Sequence, residues 1–512
     1  MNHRAVFLLG LFASSCWQTR AVQLELQKDI IYSCPQRAVV TVTGASLMTK
    51  PVVTLAADSS STGTSEIPAL NQDEVSILPD GTLQFVLPRR LGAGNYQVLL
   101  TFKNADQTST LSPGRFEYSL DTPNLPFLIP VGTVDGPKQP NEVMLWHPDP
   151  SRGLELAVLS ENGSMLSTYP NQQTEADLPP TYDVTRGQHT NVQSSNLVLA
   201  PLDSQQQQTS ALVACAPLQA SGPTAALSIA STGLTLPTVQ LGAVVPSAVT
   251  KGQLVASGNF FQKSTALQLI QLVLPATGTD GSIIAYKNLN LASPQTPSGV
   301  VSSVVFPVNV ALPVTAVIGD LNDDSLTDVL LIGERTSGGS SRTTTVVAIT
   351  GDLDRPPIEI LSGASLSSAV ALGDIDGDGH PDLVFGQTPS DVKIYYNRIA
   401  KGAVIAYAGT DSQTAGTVTV AKQLVIVDYD GDRRNDIVYA ASDGVHVIVN
   451  HGVKPNSGER TFDDTLVFAA PTAWEPAALT ATEFSGDRRP DFVVADGASG
   501  KLWFLENSCS FP

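Results

Sequence analysis

Beyond its first twenty residues the chain has no long hydrophobic run, and no later stretch suffices to cross a bilayer. Cysteine is scarce, at four in 512 residues. Cys16 falls in the leader described below, and Cys34, Cys215 and Cys509 are an odd set, so no disulfide framework organises the fold. The six histidines are scattered, and no HExxH or tight His/Cys cluster sets up a zinc centre. There is no GxSxG elbow, and Gly497-Ala498-Ser499-Gly500-Lys501 lacks the spacing of a phosphate loop. Basic residues number 29 against 48 acidic ones, and the net charge of −19 argues against a nucleic-acid partner.

What is abundant is Val, Thr, Ser, Ala, Gly and Pro, the composition of short strands joined by many turns. The N-terminus places Arg4 before an apolar stretch from Ala5 to Phe12, with small residues around Ala21. That pattern predicts a secretory signal over 1–21 and a secreted, periplasmic or cell-surface protein. Cys16 after Ala13-Ser14-Ser15 offers a lipid-anchor alternative. Residues 22–121 alternate in short runs, VVTVTGASL, PVVTLAAD, EVSILPDGTLQFVLP, NYQVLLTFKN and RFEYSL, which predict one β-sandwich. Asn162-Gly163-Ser164 is a glycosylation sequon, relevant only in a eukaryotic secretory route.

The second part, 122–512, is organised around GDIDGDGHPDLVFG, which sets Asp374, Asp376, Asp378 and Asp382 at positions 1, 3, 5 and 9 of one loop. Carboxylates this close repel unless a cation sits among them. A hard cation wants them: Ca²⁺ takes about six to eight oxygen ligands, carboxylate and carbonyl together. The His380 carbonyl at position 7 would add a fifth donor, and Gly379 at position 6 suits a left-handed turn. The pattern recurs with Asp320, Asn322, Asp324 and Asp328, and with Asp428, Asp430, Asp432 and Asp436. A fourth copy is depleted: Glu483, Ser485, Asp487 and Asp491. The first positions follow one another at 54, 54 and 55 residues, the mark of a repeat architecture. The bland alternative is Asx turns on a solvated surface, since Asp and Gly favour turns for their own reasons.

Three earlier units keep the frame without the acids: His147, Asp149, Ser151 and Glu155; Asp203, Gln205, Gln207 and Ala211; Gly258, Phe260, Gln262 and Ala266. Each unit reads as four strands. Around Asp374 they are SSAVALG, DLVFG, VKIYYN and AVIAYAG; around Asp428 they are QLVIVD, DIVYAA, VHVIVN and TLVFAA. Four strands in hairpin order make a propeller blade. The last unit has three, AALTATE, DFVVAD and KLWFLEN, and LPFLIPVG, just before the first unit, is predicted to supply its missing outer strand.

With its D-x-[DN]-x-D-x-x-x-D loops preceded by Gly319-Asp320 and Gly373-Asp374, this part resembles the FG-GAP/VCBS repeat class, the propeller of integrin α subunits and of many secreted bacterial proteins. Residues 22–121 resemble the IPT/TIG immunoglobulin-like family through VTVTGASL and GAGNYQVLLTF. The resemblance implies an all-β protein: an Ig-like sandwich, then a seven-bladed β-propeller with calcium loops in the later blades. It implies three Ca²⁺ sites, formed by Asp320, Asn322, Asp324, the Leu326 carbonyl and Asp328, by Asp374, Asp376, Asp378, the His380 carbonyl and Asp382, and by Asp428, Asp430, Asp432, the Arg434 carbonyl and Asp436, with a fourth and weaker set of Glu483, Ser485, Asp487, the Arg489 carbonyl and Asp491. No residue pattern points to catalysis. The expected activity is recognition or adhesion, with an extracellular protein or glycan as ligand. The alternatives are an extracellular polysaccharide-lyase-like enzyme and an envelope scaffold.

Overall fold

The computed structural model describes the strands and adjoining turns between residues 25 and 508. Outside it lie 1–24, 509–512, the connections 33–38, 44–49, 58–69, 71–74, 88–93, 104–107, 120–126, 147–153, 173–179, 216–223, 231–237, 245–249, 261–266, 276–280, 290–300, 307–310, 337–341, 352–356, 399–406, 408–411, 418–422, 454–459 and 486–488, and other links of one to three residues. The predicted leader, Cys16, Cys34, Cys509, Asp149 and Asp487 therefore fall outside the described residues. Among the described residues the fold is all-β, with two short 3₁₀ turns and no α-helix. None of these elements is a helix long and apolar enough to cross a membrane. Cys215 is a buried free thiol.

Residues 25–119 form two four-stranded sheets. Alternate side chains from both, including Val40, Val53, Leu83, Phe85, Tyr96, Leu100 and Phe116, meet in one apolar cluster. Period-two alternation explains this: each strand turns one face inward and leaves its polar face in water.

Among the described residues, 127–508 form seven further sheets of four antiparallel strands, numbered 1 to 7 in chain order: the first five lie within 140–191, 198–244, 250–306, 311–363 and 366–417. In six of them the strands follow chain order, as in the sixth: Leu424–Val427, Asp436–Ala441, Gly444–Val453 and Arg460–Ala469. The seventh joins Pro476–Thr482, Asp491–Asp496 and Lys501–Ser508 to Phe127–Asp135. The register pairs Leu502 with Val134 and Ser508 with Phe127, so the segment ahead of the first unit completes the last. This pairing covers the edge of the Lys501–Ser508 strand, which would otherwise invite aggregation.

Neighbouring sheets pack face against face. Sheets 4 and 5 share Leu330, Ile332, Val346, Leu383 and Phe385; sheets 5 and 6 share Val384, Ile394, Ile437 and Ile448. Sheet 7 packs on sheet 6 through Trp474 and Phe492, and on sheet 1 through Val143, Leu156, Val493 and Phe504. Fully buried strands such as DIVYAA and DFVVAD carry continuous apolar runs because both faces are covered.

Two expectations change. In sheet 5 the fourth strand is Ser412–Thr417, paired with Asp391–Tyr395, and not AVIAYAG. That apolar run precedes it in the chain. Its Tyr407 is buried in the core shared by sheets 4 and 5 and donates its hydroxyl to the Pro381 carbonyl at 2.9 Å. An outer strand needs less apolar content, which is why SQTAGT escaped notice. In the second unit Gln206–Cys215 is already a strand, so Gln207 and Ala211 lie within it and no nine-residue loop forms there.

Candidate metal centre

Each acidic loop joins the first two strands of a sheet, and its register is the same in all four copies. The residue before position 1 pairs with position 9: Gly319 with Asp328, Gly373 with Asp382, Val427 with Asp436, Thr482 with Asp491. The ninth side chain points back under the loop. Its Oδ2 accepts the N–H of the second residue, Leu321, Ile375, Tyr429 or Phe484, at 2.9 Å in every case. Its Oδ1 accepts an N–H from the third strand or just past its end, from Gly351, Asn397, Asn450 or Asn507, at 2.8 to 2.9 Å. All four of these carboxylates are fully buried.

Positions 1, 3 and 5 fold the loop around themselves. Asp374 accepts from the N–H groups of Gly377 at 2.7 Å, Asp378 at 3.2 Å and Gly379 at 2.9 Å. Asp428 likewise accepts from Gly431 and Arg433, and Asp320 from Asp324 and Ser325. The fifth-position carboxylates take the N–H of Leu326, His380 and Arg434 at 2.8 to 2.9 Å. These Asx contacts need left-handed backbone. Gly379 has φ +89°, as its sequence position predicts. Ser325 and Arg433 adopt φ +73° and +69° at the same position, at a cost of roughly 1–2 kcal/mol each. Position 4 is left-handed too, at Asp323, Gly377 and Gly431, which the sequence reading missed.

In loop 2, oxygens of Asp374, Asp376 and Asp382 lie within 4.8 Å of one another, and in loop 3 those of Asp428, Asp430 and Asp432 do so. Both are sets of hard oxygen donors at a spacing one divalent ion spans. Loop 1 is weaker in charge, because Asn322 takes position 3 and donates Nδ2 to Asp324 at 3.0 Å. In loop 4, Glu483 is exposed while Ser485 and Arg489 are buried, so that loop brings its own guanidinium. Two more arginines reach the acids: Arg398 pairs with Asp376 and, at 2.9 Å, with Asp378, and Arg434 pairs with Asp432.

Burial pushes Asp328 up to about 6, Asp382 up to about 7 and Asp436 up to about 8; backbone donors oppose the shift and neighbouring carboxylates add to it. Burial also raises Asp428 and Asp430. These acids hold protons more tightly folded than unfolded. Without metal, the stability that Asp328, Asp382 and Asp436 contribute is full below about pH 4 and is lost as the pH rises through 6 to 8. A divalent ion must displace those protons. The Tm shift produced by saturating Ca²⁺ is therefore expected to be larger at pH 8 than at pH 5. Equal shifts at the two pH values would contradict this.

The sequence reading also missed the residues that tie the loops to the next sheet. Asn397 Nδ2 donates to the Leu321 carbonyl at 2.9 Å, Asn450 to Ile375 at 2.7 Å and Asn507 to Tyr429 at 3.0 Å. A signal was present: VKIYYN, VHVIVN and KLWFLEN all end in asparagine. Around loop 2, Asn435 and Arg460 add bonds to the Asp374 and Asp376 carbonyls, both at 2.8 Å.

Residues 320–385, spanning loops 1 and 2, match the family model of the FG-GAP-like repeat. No curated protein matches the chain. Among solved structures, the chain is similar to BBS1N crystallised in complex with ARL6DN and soaked with lead, at 11% identity and TM-score 0.44, over 76% of this chain and 99% of that one. It is also similar to Sqt1 from Chaetomium thermophilum, at 11% identity and TM-score 0.39, over 94% and 96% of the two chains. A third likeness is to a DUF4784 family protein from Bacteroides caccae, at 12% identity and TM-score 0.23, over 76% and 95%.

Proposed function

We propose that residues 127–508 form a seven-bladed β-propeller whose acidic loops bind Ca²⁺ structurally, and that the protein is a secreted or surface recognition protein without catalysis of its own. The observation carrying this reading is the same oxygen-rich loop at the same register in sheets 4, 5 and 6, with three carboxylates converging in two of them. The packing of sheet 7 on both sheet 6 and sheet 1 supports a closed ring. The two-sheet N-terminal unit with its shared core supports an Ig-like sandwich.

Asp374, Asp376 and Asp382 would hold one ion and Asp428, Asp430 and Asp432 another, with Asp320, Asn322, Asp324 and Asp328 as the third and less charged set. The ion neutralises the loop and braces the first two strands of its blade. The ninth aspartate is also a clamp, since each of its oxygens accepts a backbone bond, and in loop 2 Asp382 does this while lying within the donor set. A ring of stacked sheets offers a broad rigid face, suited to an extracellular protein or glycan. The test is a glycan and matrix-protein binding array on the Ca²⁺-loaded chain, run beside a polysaccharide-lyase assay. Calcium-dependent capture without turnover is the expected result. Turnover on any polysaccharide would overturn the non-catalytic reading.

A further inference from the structure

The acidic loops are not separate devices. From loop 1 the Leu321 carbonyl accepts Asn397 Nδ2, and the backbone N–H of Asn397 is held by Asp382 Oδ1. The other oxygen of Asp382 holds the N–H of Ile375 in loop 2, and the Ile375 carbonyl accepts Asn450 Nδ2. Asn450 N–H rests on Asp436, Asp436 on the N–H of Tyr429 in loop 3, and the Tyr429 carbonyl on Asn507 Nδ2. Asn507 N–H then meets Asp491, which holds Phe484 in loop 4. Every link is 2.7 to 3.0 Å long. The three asparagines and the ninth-position acids are fully buried, so water offers no substitute partner.

The relay begins at loop 1 for a steric reason. Gly351 stands where the later sheets have asparagine, and a Cβ there would meet Leu326 Cβ at 2.4 Å. At loop 2 the connection is reinforced: three successive carbonyls, of Asp374, Ile375 and Asp376, each accept a side chain of sheet 6, namely Asn435, Asn450 and Arg460. A shift of those three residues cannot be local, because a close-packed interior transmits it.

We propose that loops 1 to 4 are energetically coupled and that Asn397, Asn450 and Asn507 are the positioning residues that carry the coupling from each sheet to the next. Loading one loop with a cation then fixes the second residue of that loop, and with it the asparagine and ninth-position clamp of the following loop. Ions bind cooperatively, and the neighbouring sheets stiffen together. The cation half of this inference rests on the proposed calcium reading; the coupling itself does not.

Two arms separate the two. In chelator, hydrogen exchange is followed in the full chain for wild type, Asp374→Asn, Asn450→Ala and the double variant. Coupling predicts that Asp374→Asn speeds exchange in loop 3 by about fivefold or more, the lower end of couplings between sites, and leaves sheet 2 unchanged. It also predicts that Asn450→Ala abolishes this transmission. Changes confined to loop 2 in both backgrounds would overturn the proposal. Asn397→Ala, read at loop 1, replaces Asn450→Ala if the latter unfolds. In the second arm Ca²⁺ is titrated into wild type and Asn450→Ala. A Hill coefficient above unity that falls to about 1 in the variant is expected from coupled sites; equal coefficients would overturn the cooperativity. A titration with no binding at all would sink the calcium reading and leave the exchange arm to decide the coupling.

Discussion

Asp436→Ala is expected to destabilise the second part of the chain by about 2–6 kcal/mol, because two buried N–H groups lose their acceptor and each costs about 1–3 kcal/mol unpaired. The donors are Tyr429 and Asn450, at 2.9 and 2.8 Å, and the residue is completely buried. Relief of the buried, repelled carboxylate offsets part of the loss, since burial already pushes this acid up to about 8. Asp436→Asn keeps one acceptor and turns an NH₂ toward the second donor, so its effect should be intermediate. Urea or thermal unfolding of the three proteins decides the matter. A loss below about 0.5 kcal/mol for the alanine variant, the size of an ordinary surface substitution, would show that the clamp is not structural.

The second large effect is expected on removing calcium. Extracellular modules bind Ca²⁺ with Kd of about 10⁻⁴–10⁻³ M. At a concentration about a hundredfold above Kd, each site adds about 2.7 kcal/mol, so three sites add about 8 kcal/mol. For a body of this size that is about 10 °C in Tm. Chelator should lower the melting temperature by that amount and Ca²⁺ should restore it. Mg²⁺ should restore much less, because it demands octahedral geometry and keeps its waters. Indifference of the melt to chelator would contradict the account. Asp378→Ala is expected to reduce the response, since it removes both a loop donor and the second partner of Arg398.

Much of this was legible in the residues. The spacing of Asp320, Asp374 and Asp428 gave the period, and QLVIVD, DIVYAA, VHVIVN and TLVFAA gave sheet 6 strand by strand, because buried strands carry unbroken apolar runs. The pairing of Phe127–Asp135 with Lys501–Ser508 could be anticipated because the last unit was one strand short. Hydropathy misled at an outer edge: SQTAGT is the fourth strand of sheet 5, the place expected of AVIAYAG. The division of labour within the loops was also hidden. Spacing makes all the aspartates look alike as ligands, whereas register also aims the ninth at two backbone donors, and the three that gather are the first, third and ninth in loop 2 but the first, third and fifth in loop 3. The asparagine links join residues 75 to 78 apart in sequence and become visible only once the sheets are stacked.

The most direct measurement is the number of Ca²⁺ ions bound per chain, by equilibrium dialysis at millimolar Ca²⁺ with metal analysis, on wild type and on Asp374→Asn/Asp376→Asn. The account predicts three ions for the wild type, in loops 1, 2 and 3, and fewer in the double variant, with loop 4 left to Arg489. A wild-type chain that retains no calcium, or one whose count is unchanged by the double substitution, would contradict it.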